Sequence, residues 1–159
     1  MAHITIEYMI MIPVLIMQIF LFPLTASVIM DTWSNSSTTL QLQEAAGHTG
    51  SCIQQLYYTL NHASISNGSV KITLGSPPLI ENRAYTTTLR HVTQTGASYA
   101  IMNVTLSLIG IKSAVSTIVT LGDNVNWTEN LSFNSTAHNP SLIANKTSNF
   151  IWISFGGST

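Results

Sequence analysis

Apolar and polar positions divide this chain into three stretches. The first, Tyr8 to Met30, reads YMIMIPVLIMQIFLFPLTASVIM and contains no charged side chain. At about 1.5 Å rise per residue it makes a helix of about 35 Å, enough to cross a hydrocarbon core of about 30 Å. The second follows the polar run Asp31 to Thr39 and has apolar or small positions at Leu42, Ala46, Thr49, Ile53, Leu56 and Leu60. Spacings that alternate four and three place these on one helical face, a stripe suited to covering a domain. Gly47 and Gly50 weaken a helix locally, so a bend or break is expected between residues 31 and 50.

The third stretch alternates. From Ser69 onward, Val70, Ile72 and Leu74 oppose Lys71 and Thr73, and Met102, Val104, Leu106 and Leu108 oppose Asn103, Thr105 and Ser107. Expected strands are Val70–Leu74, Ala84–Gln94, Ser98–Leu108, Ala114–Leu121, Val125–Phe133 and Asn149–Phe155, all rich in Val, Ile, Thr and aromatic residues. Turn signals fall between them at Gly75-Ser-Pro-Pro, Thr95-Gly-Ala, Gly110 and Gly122-Asp-Asn. The expected fold is therefore α+β: a long N-terminal hydrophobic helix and a small antiparallel β-sandwich or barrel. The expected division is a helical element over residues 1–62 and a β domain over 63–159. The β domain is small, so the helical stripe should complete its core.

The apolar run is not built like a plain anchor. Glu7 stands at its start, where an unpaired carboxylate is costly in lipid. Pro13 and Pro23 each remove a backbone donor, and Gln18 adds a polar group midway. Such features are tolerated where neighbouring helices satisfy the freed groups, which points to helix–helix packing. A cleaved secretory signal fits poorly, because the run is long and no Lys or Arg precedes Lys71. The helix is expected to stay with the protein.

Composition changes the picture in two ways. Charged residues are only 7% of the chain, against roughly 25% in ordinary soluble domains, and Ser, Thr, Asn and Gly take their place. The basic residues Lys71, Arg83, Arg90, Lys112 and Lys146 are scattered, which excludes a nucleic-acid-binding patch and a polybasic membrane anchor. Solubility must come from elsewhere. Seven N-x-Ser/Thr sequons, at Asn35, Asn67, Asn103, Asn126, Asn130, Asn134 and Asn145, all lie beyond the apolar run, and three fall between Asn126 and Asn134. Several occupied sequons would give an exported, glycan-coated surface.

Catalytic chemistry finds no foothold. His3, His48, His62, His91 and His138 share no metal-ligand spacing and read as surface or capping residues. Nucleophile-elbow, P-loop and dinucleotide motifs are missing from the sequence. Glu81, Asp123 and Glu129 are the carboxylates from which a glycosidase pair would be drawn, and they sit in turn-like regions. The lone Cys52 reads as a buried helical thiol, with an intersubunit disulfide as the alternative. The aromatic strand carrying Phe150, Trp152 and Phe155 reads as core rather than as a sugar-binding platform. No enzyme, metal, cofactor or small-molecule substrate is expected; N-linked glycans are.

The residues His-Ile-Thr-Ile-Glu-Tyr, His3 to Tyr8, resemble the start of mature archaeal type IV pilins. That family often begins Gln-x-Ser-x-Glu, followed by a large apolar residue and a long hydrophobic helix. His3 stands where Gln is common, Thr5 where Ser is common, and Glu7 matches the acidic position. The resemblance covers roughly the first 30 residues and the general layout. It implies processing between Ala2 and His3 by a prepilin peptidase. It also implies pairing of Glu7 with the amino terminus of an adjacent subunit, a counter-charge that makes a carboxylate tolerable among apolar helices. The implied function is that of a structural subunit of an extracellular filament serving adhesion. Its partners would be the membrane before assembly, the pilus assembly machinery, and then copies of itself. The alternative is a membrane-anchored β-sandwich binding module that never polymerises, the layout of stator-like accessory proteins of archaeal motility filaments.

Overall fold

A computed structural model describes residues 2–92, 99–110, 112–127 and 131–158, with side chains described over the same ranges except at residues 2–8 and 157–158. It contains one helix, α1 (Ala2–Leu60), and eight strands: β1 (Asn67–Thr73), β2 (Tyr85–Val92), β3 (Tyr99–Leu108), β4 (Ala114–Gly122), β5 (Val125–Trp127), β6 (Ser132–Asn134), β7 (His138–Thr147) and β8 (Phe150–Ser158). The fold is α+β, as the hydrophobic patterning predicts. The chain divides into two compact units, Met1–Ser37 and Thr38–Thr159.

Of the bend or break expected between residues 31 and 50, the break does not occur. α1 is continuous from Ala2 to Leu60, with Pro13 and Pro23 inside it. Local hydrogen bonds help to explain this. In the polar run, the Thr32 hydroxyl donates to the Val28 carbonyl at 2.8 Å, absorbing its polarity within the helix. Further on, each helical glycine costs about 1 kcal/mol relative to Ala, but the stripe around them is fully buried. Leu42, Ala46, Thr49, Ile53, Leu56 and Leu60 are all at most 1% exposed, so burial outweighs the glycine penalty. Gly50 also has a positive use: a Cβ there would lie 3.0 Å from a Val119 methyl on β4, so its absence lets helix and sheet approach closely.

Within Thr38–Thr159 the strands form two four-stranded sheets, ordered β1-β7-β8-β5 and β4-β3-β2-β6. All pairings are antiparallel except β5 with β8, which is parallel. The two inner faces and the helical stripe share one core. Leu42, Ile53 and Leu56 from α1 join Met102, Val104 and Leu106 from β3 and Leu142, Ile151 and Ile153 from β7 and β8. Phe133 on β6 and Phe155 on β8 meet edge to face at 4.6 Å between ring centres, linking the sheets.

Two strand expectations are corrected. Val125–Phe133 is not one strand: β5 pairs with β8 in the first sheet, while β6 pairs with β2 in the second. The segment therefore serves both layers. The second correction is β7, which no alternation predicts and which lies at the interior of its sheet between β1 and β8. Its inward positions are Leu142, Ala144 and Lys146. Lys146 lays its stem along the core and delivers its Nζ to the His62 carbonyl at 3.2 Å. Pro140 lies within a register irregularity between His138 and Ser141, a place where a missing backbone donor is tolerated.

Candidate functional surfaces

Between Met9 and Met30 the helix presents its apolar side chains to the outside. Exposure of the large ones runs from 46% at Leu21 to 79% at Met9 and Phe22. This is an all-round apolar surface, and the run is long and apolar enough to span a membrane. Burying each such side chain gains about 1.5–3 kcal/mol, so the run as a whole gains on the order of tens of kcal/mol from any apolar cover. Pro13 and Pro23 lie inside the helix, so the carbonyls one turn earlier lack their usual donors. Beyond Pro23, the Thr25 hydroxyl reaches the Leu21 and Phe22 carbonyls, both at 3.0 Å. Gln18, Leu15, Phe22 and Pro23 line a shallow groove on this stretch. His3, Glu7 and Tyr8 belong to the helical backbone, and their side chains lie outside the described residues.

The sequon asparagines occupy distinct environments. Asn35 is exposed on α1, and Asn67, Asn134 and Asn145 are exposed on β1, β6 and β7. The Asn67 side-chain Oδ1 accepts from the Ser148 backbone N–H at 3.0 Å, and that of Asn134 accepts from the Thr136 backbone N–H at 3.3 Å. Asn126 on β5 is half-buried. Asn103, between β2 and β4 on the outer face of its sheet, is also half-buried, and its side-chain Oδ1 is enclosed without a hydrogen-bond partner. Asn130 lies outside the described residues.

The C-terminal aromatics correct another expectation. Phe155 is core, but Phe150 and Trp152 are 51% and 39% exposed. Their parity explains it: Ile151, Ile153 and Phe155 face inward, so 150 and 152 must face out. Trp152 pairs in register with Asn145 on β7 and with Asn126 on β5.

Titratable groups are dispersed. His48, His62, His91 and His138 are exposed, and among the described residues no cluster of three metal-binding side chains forms. Glu81 is exposed and accepts a hydrogen bond from the Thr38 hydroxyl, while Asp123 is exposed in a turn. Glu129 is outside the described residues. Cys52 is a free, buried thiol whose pKa is raised by burial, the inert environment expected of a structural cysteine. One polar cleft is lined by Tyr57, Asn61, Asp123, Asn124 and Lys146. Its side chains satisfy one another in a closed ring: Tyr57 Oη donates to Asn124 at 3.2 Å, Asn124 to Asn61 at 2.9 Å, and Asn61 back to Tyr57 at 2.9 Å. A ring of this kind ties the end of α1 to the β4–β5 turn.

Comparisons with protein-family models, curated proteins and solved structures return no match for this chain. What stands is the architecture: a long apolar N-terminal helix, compatible with membrane anchoring, followed by a small β domain.

Proposed function

We propose that this chain is the structural subunit of an extracellular filament of the archaeal type IV pilus kind. Before assembly its apolar helix holds it in the cytoplasmic membrane. In the filament the helices of many copies bundle into a core, and the β domains form a glycosylated outer layer that serves adhesion. The observation that carries this reading is the exposed apolar surface from Met9 to Met30, which is stable only under cover. Copies of the same helix provide that cover. Pro13, Pro23 and Gln18 favour a protein neighbour over lipid, because a neighbouring helix can satisfy the groups they leave open. The opening residues His3 to Tyr8, which resemble those of archaeal pilins, point the same way. Filament growth requires one contact repeated without closure, which offset parallel helices provide. The role is structural rather than enzymatic.

One observation favours a second reading. The hydroxyls of Thr25 and Thr32 fold back onto helix carbonyls, as in a lone span shielding its polarity from lipid. That arrangement suits a membrane-anchored binding module.

Electron microscopy of surface material sheared from cells, with intact-mass and N-terminal analysis of its main protein, separates the two. The filament reading expects this chain, beginning at or near His3 and heavier than its 17.3 kDa polypeptide by glycan mass. Confinement of the chain to the membrane fraction, with none in any filament, contradicts it.

A further inference from the structure

The outward face of the β1-β7-β8-β5 sheet carries a juxtaposition that the filament reading does not require. Trp152 projects from β8 with 39% of its surface open, on a face that carries Phe150 and Ile143 beside Ser, Thr, Asn and Lys. Its register partner on β7 is Asn145, an exposed sequon asparagine whose hydroxyl residue, Thr147, is also exposed. Its register partner on the other side is the sequon asparagine Asn126. Directly opposed residues on neighbouring strands have Cβ atoms about 5 Å apart and lean to the same side. Two positions along β8 stands Phe150, 51% exposed and paired with Thr147, which itself pairs with Asn67 on β1. Trp152 and Phe150 together make a small exposed aromatic patch, and covering it gains free energy. The cover would be fixed to the adjacent residue.

We propose that Trp152 is a stacking platform for an N-linked glycan attached to Asn145, whose first sugars lie with their apolar C–H faces on the indole. Asn145 is preferred over Asn126 because it is exposed whereas Asn126 is half-buried. The attachment is ordinary N-glycosyl transfer from a phosphate-activated, lipid-linked oligosaccharide. The Asn145 Nδ2 forms a bond to the anomeric carbon, and the bond from that carbon to the phosphate oxygen breaks. The lipid phosphate leaves with the electron pair, and one Nδ2 proton passes to a base of the transferase. Stacking pins the glycan along the sheet and keeps water off the indole, so glycan and tryptophan stabilise each other.

This inference rests on the part of the proposed function that has the sequons occupied. The test uses the full chain made in its glycosylating host, with Trp33→Phe and Trp127→Phe so that Trp152 alone fluoresces. Glycopeptide mapping reads occupancy, and acrylamide quenching is compared with and without Asn145→Gln. Covering the exposed part of the indole predicts that the quenching constant rises about two-fold or more when the glycan is lost. A thermal-melting cycle checks the coupling: Asn145→Gln should lower Tm with Trp152 present and leave it unchanged in a Trp152→Thr background. The proposal is overturned if Asn145 is bare while other sequons are modified, or if quenching is equal in the two forms. Those results leave the filament reading intact, whereas a chain with no glycan at any sequon removes the glycosylated coat as well.

Discussion

The two halves of α1 share one backbone and differ in what their side chains require. From residue 38 to 60, one face is apolar and buried, with Leu42, Ile53 and Leu56 at zero exposure, while Gln43, Glu44, His48 and Gln55 look outward. That half has found its partner within the chain. From Met9 to Met30 there is no polar face: Leu15 and Phe22 on one side of the helix, and Phe20 and Leu24 on the opposite side, are all more than half open. That half is left open. An amphipathic stripe thus marks a helix finished by folding, and an all-round apolar surface marks one finished by lipid or by assembly.

The comparison breaks most sharply under paired truncations. Ile53→Ala should destabilise the β unit by about 2–5 kcal/mol through lost burial and a cavity, whereas Phe20→Ala should stay within about 0.5 kcal/mol. Denaturant titration of the full chain in detergent, followed by tryptophan fluorescence, reads both. Equal effects would mean that the two halves are not distinct. Gly122→Ala comes next. A Cβ there would collide with Tyr57 Oη and lie 2.9 Å from the Asn124 side-chain oxygen. Opening that ring should cost about 1–3 kcal/mol in the same titration.

Smaller effects sharpen the picture of the buried half. Gly47 sits within the helix with nothing within 4 Å of an added Cβ. Gly47→Ala should therefore stabilise by about 0.5–1 kcal/mol through helix propensity, raising the denaturation midpoint. The last effect is alkaline. Burial raises the Cys52 thiol and the Tyr85 phenol above their ordinary ranges, and the Tyr85 hydroxyl donates to the Pro77 carbonyl at 2.9 Å. The unfolded chain then releases these protons first. The stability they contribute is complete below the unfolded thiol value and is lost as pH rises through the folded ones. Midpoints measured from pH 7 to pH 10 should fall, and Cys52→Ala should remove the earlier part of the fall.

Much of this architecture was legible because burial follows simple periods. The stripe from Leu42 to Leu60 was readable at spacings of three and four, and every member is buried. The strands carrying Met102 to Leu108 were readable by alternation. β7 was hidden because an inward position is Lys146, whose charge masks an apolar stem, and because Asn139-Pro140 reads as a turn. Parity along Phe150 to Phe155 held the information that only Phe155 points inward, but aromatic content suggested a uniform core. Continuity through Gly47 and Gly50 could not be read locally, since it depends on a sheet distant in sequence. Of the surfaces, the apolar run was visible at once, whereas the Trp152–Asn145 pairing needed the register of β7 and β8.

The central claim is that the exposed half of α1 is covered by copies of itself along an open-ended contact. Leu15 and Leu24 lie about 180° apart on an α-helix of 3.6 residues per turn. A Leu15→Cys, Leu24→Cys chain in a Cys52→Ala background therefore carries thiols on opposite sides of one helix. Oxidation of detergent-free sheared surface material, followed by denaturing electrophoresis, should give a ladder of dimers, trimers and higher species. A single band at the monomer position, with all of the protein in the membrane fraction, would contradict the account.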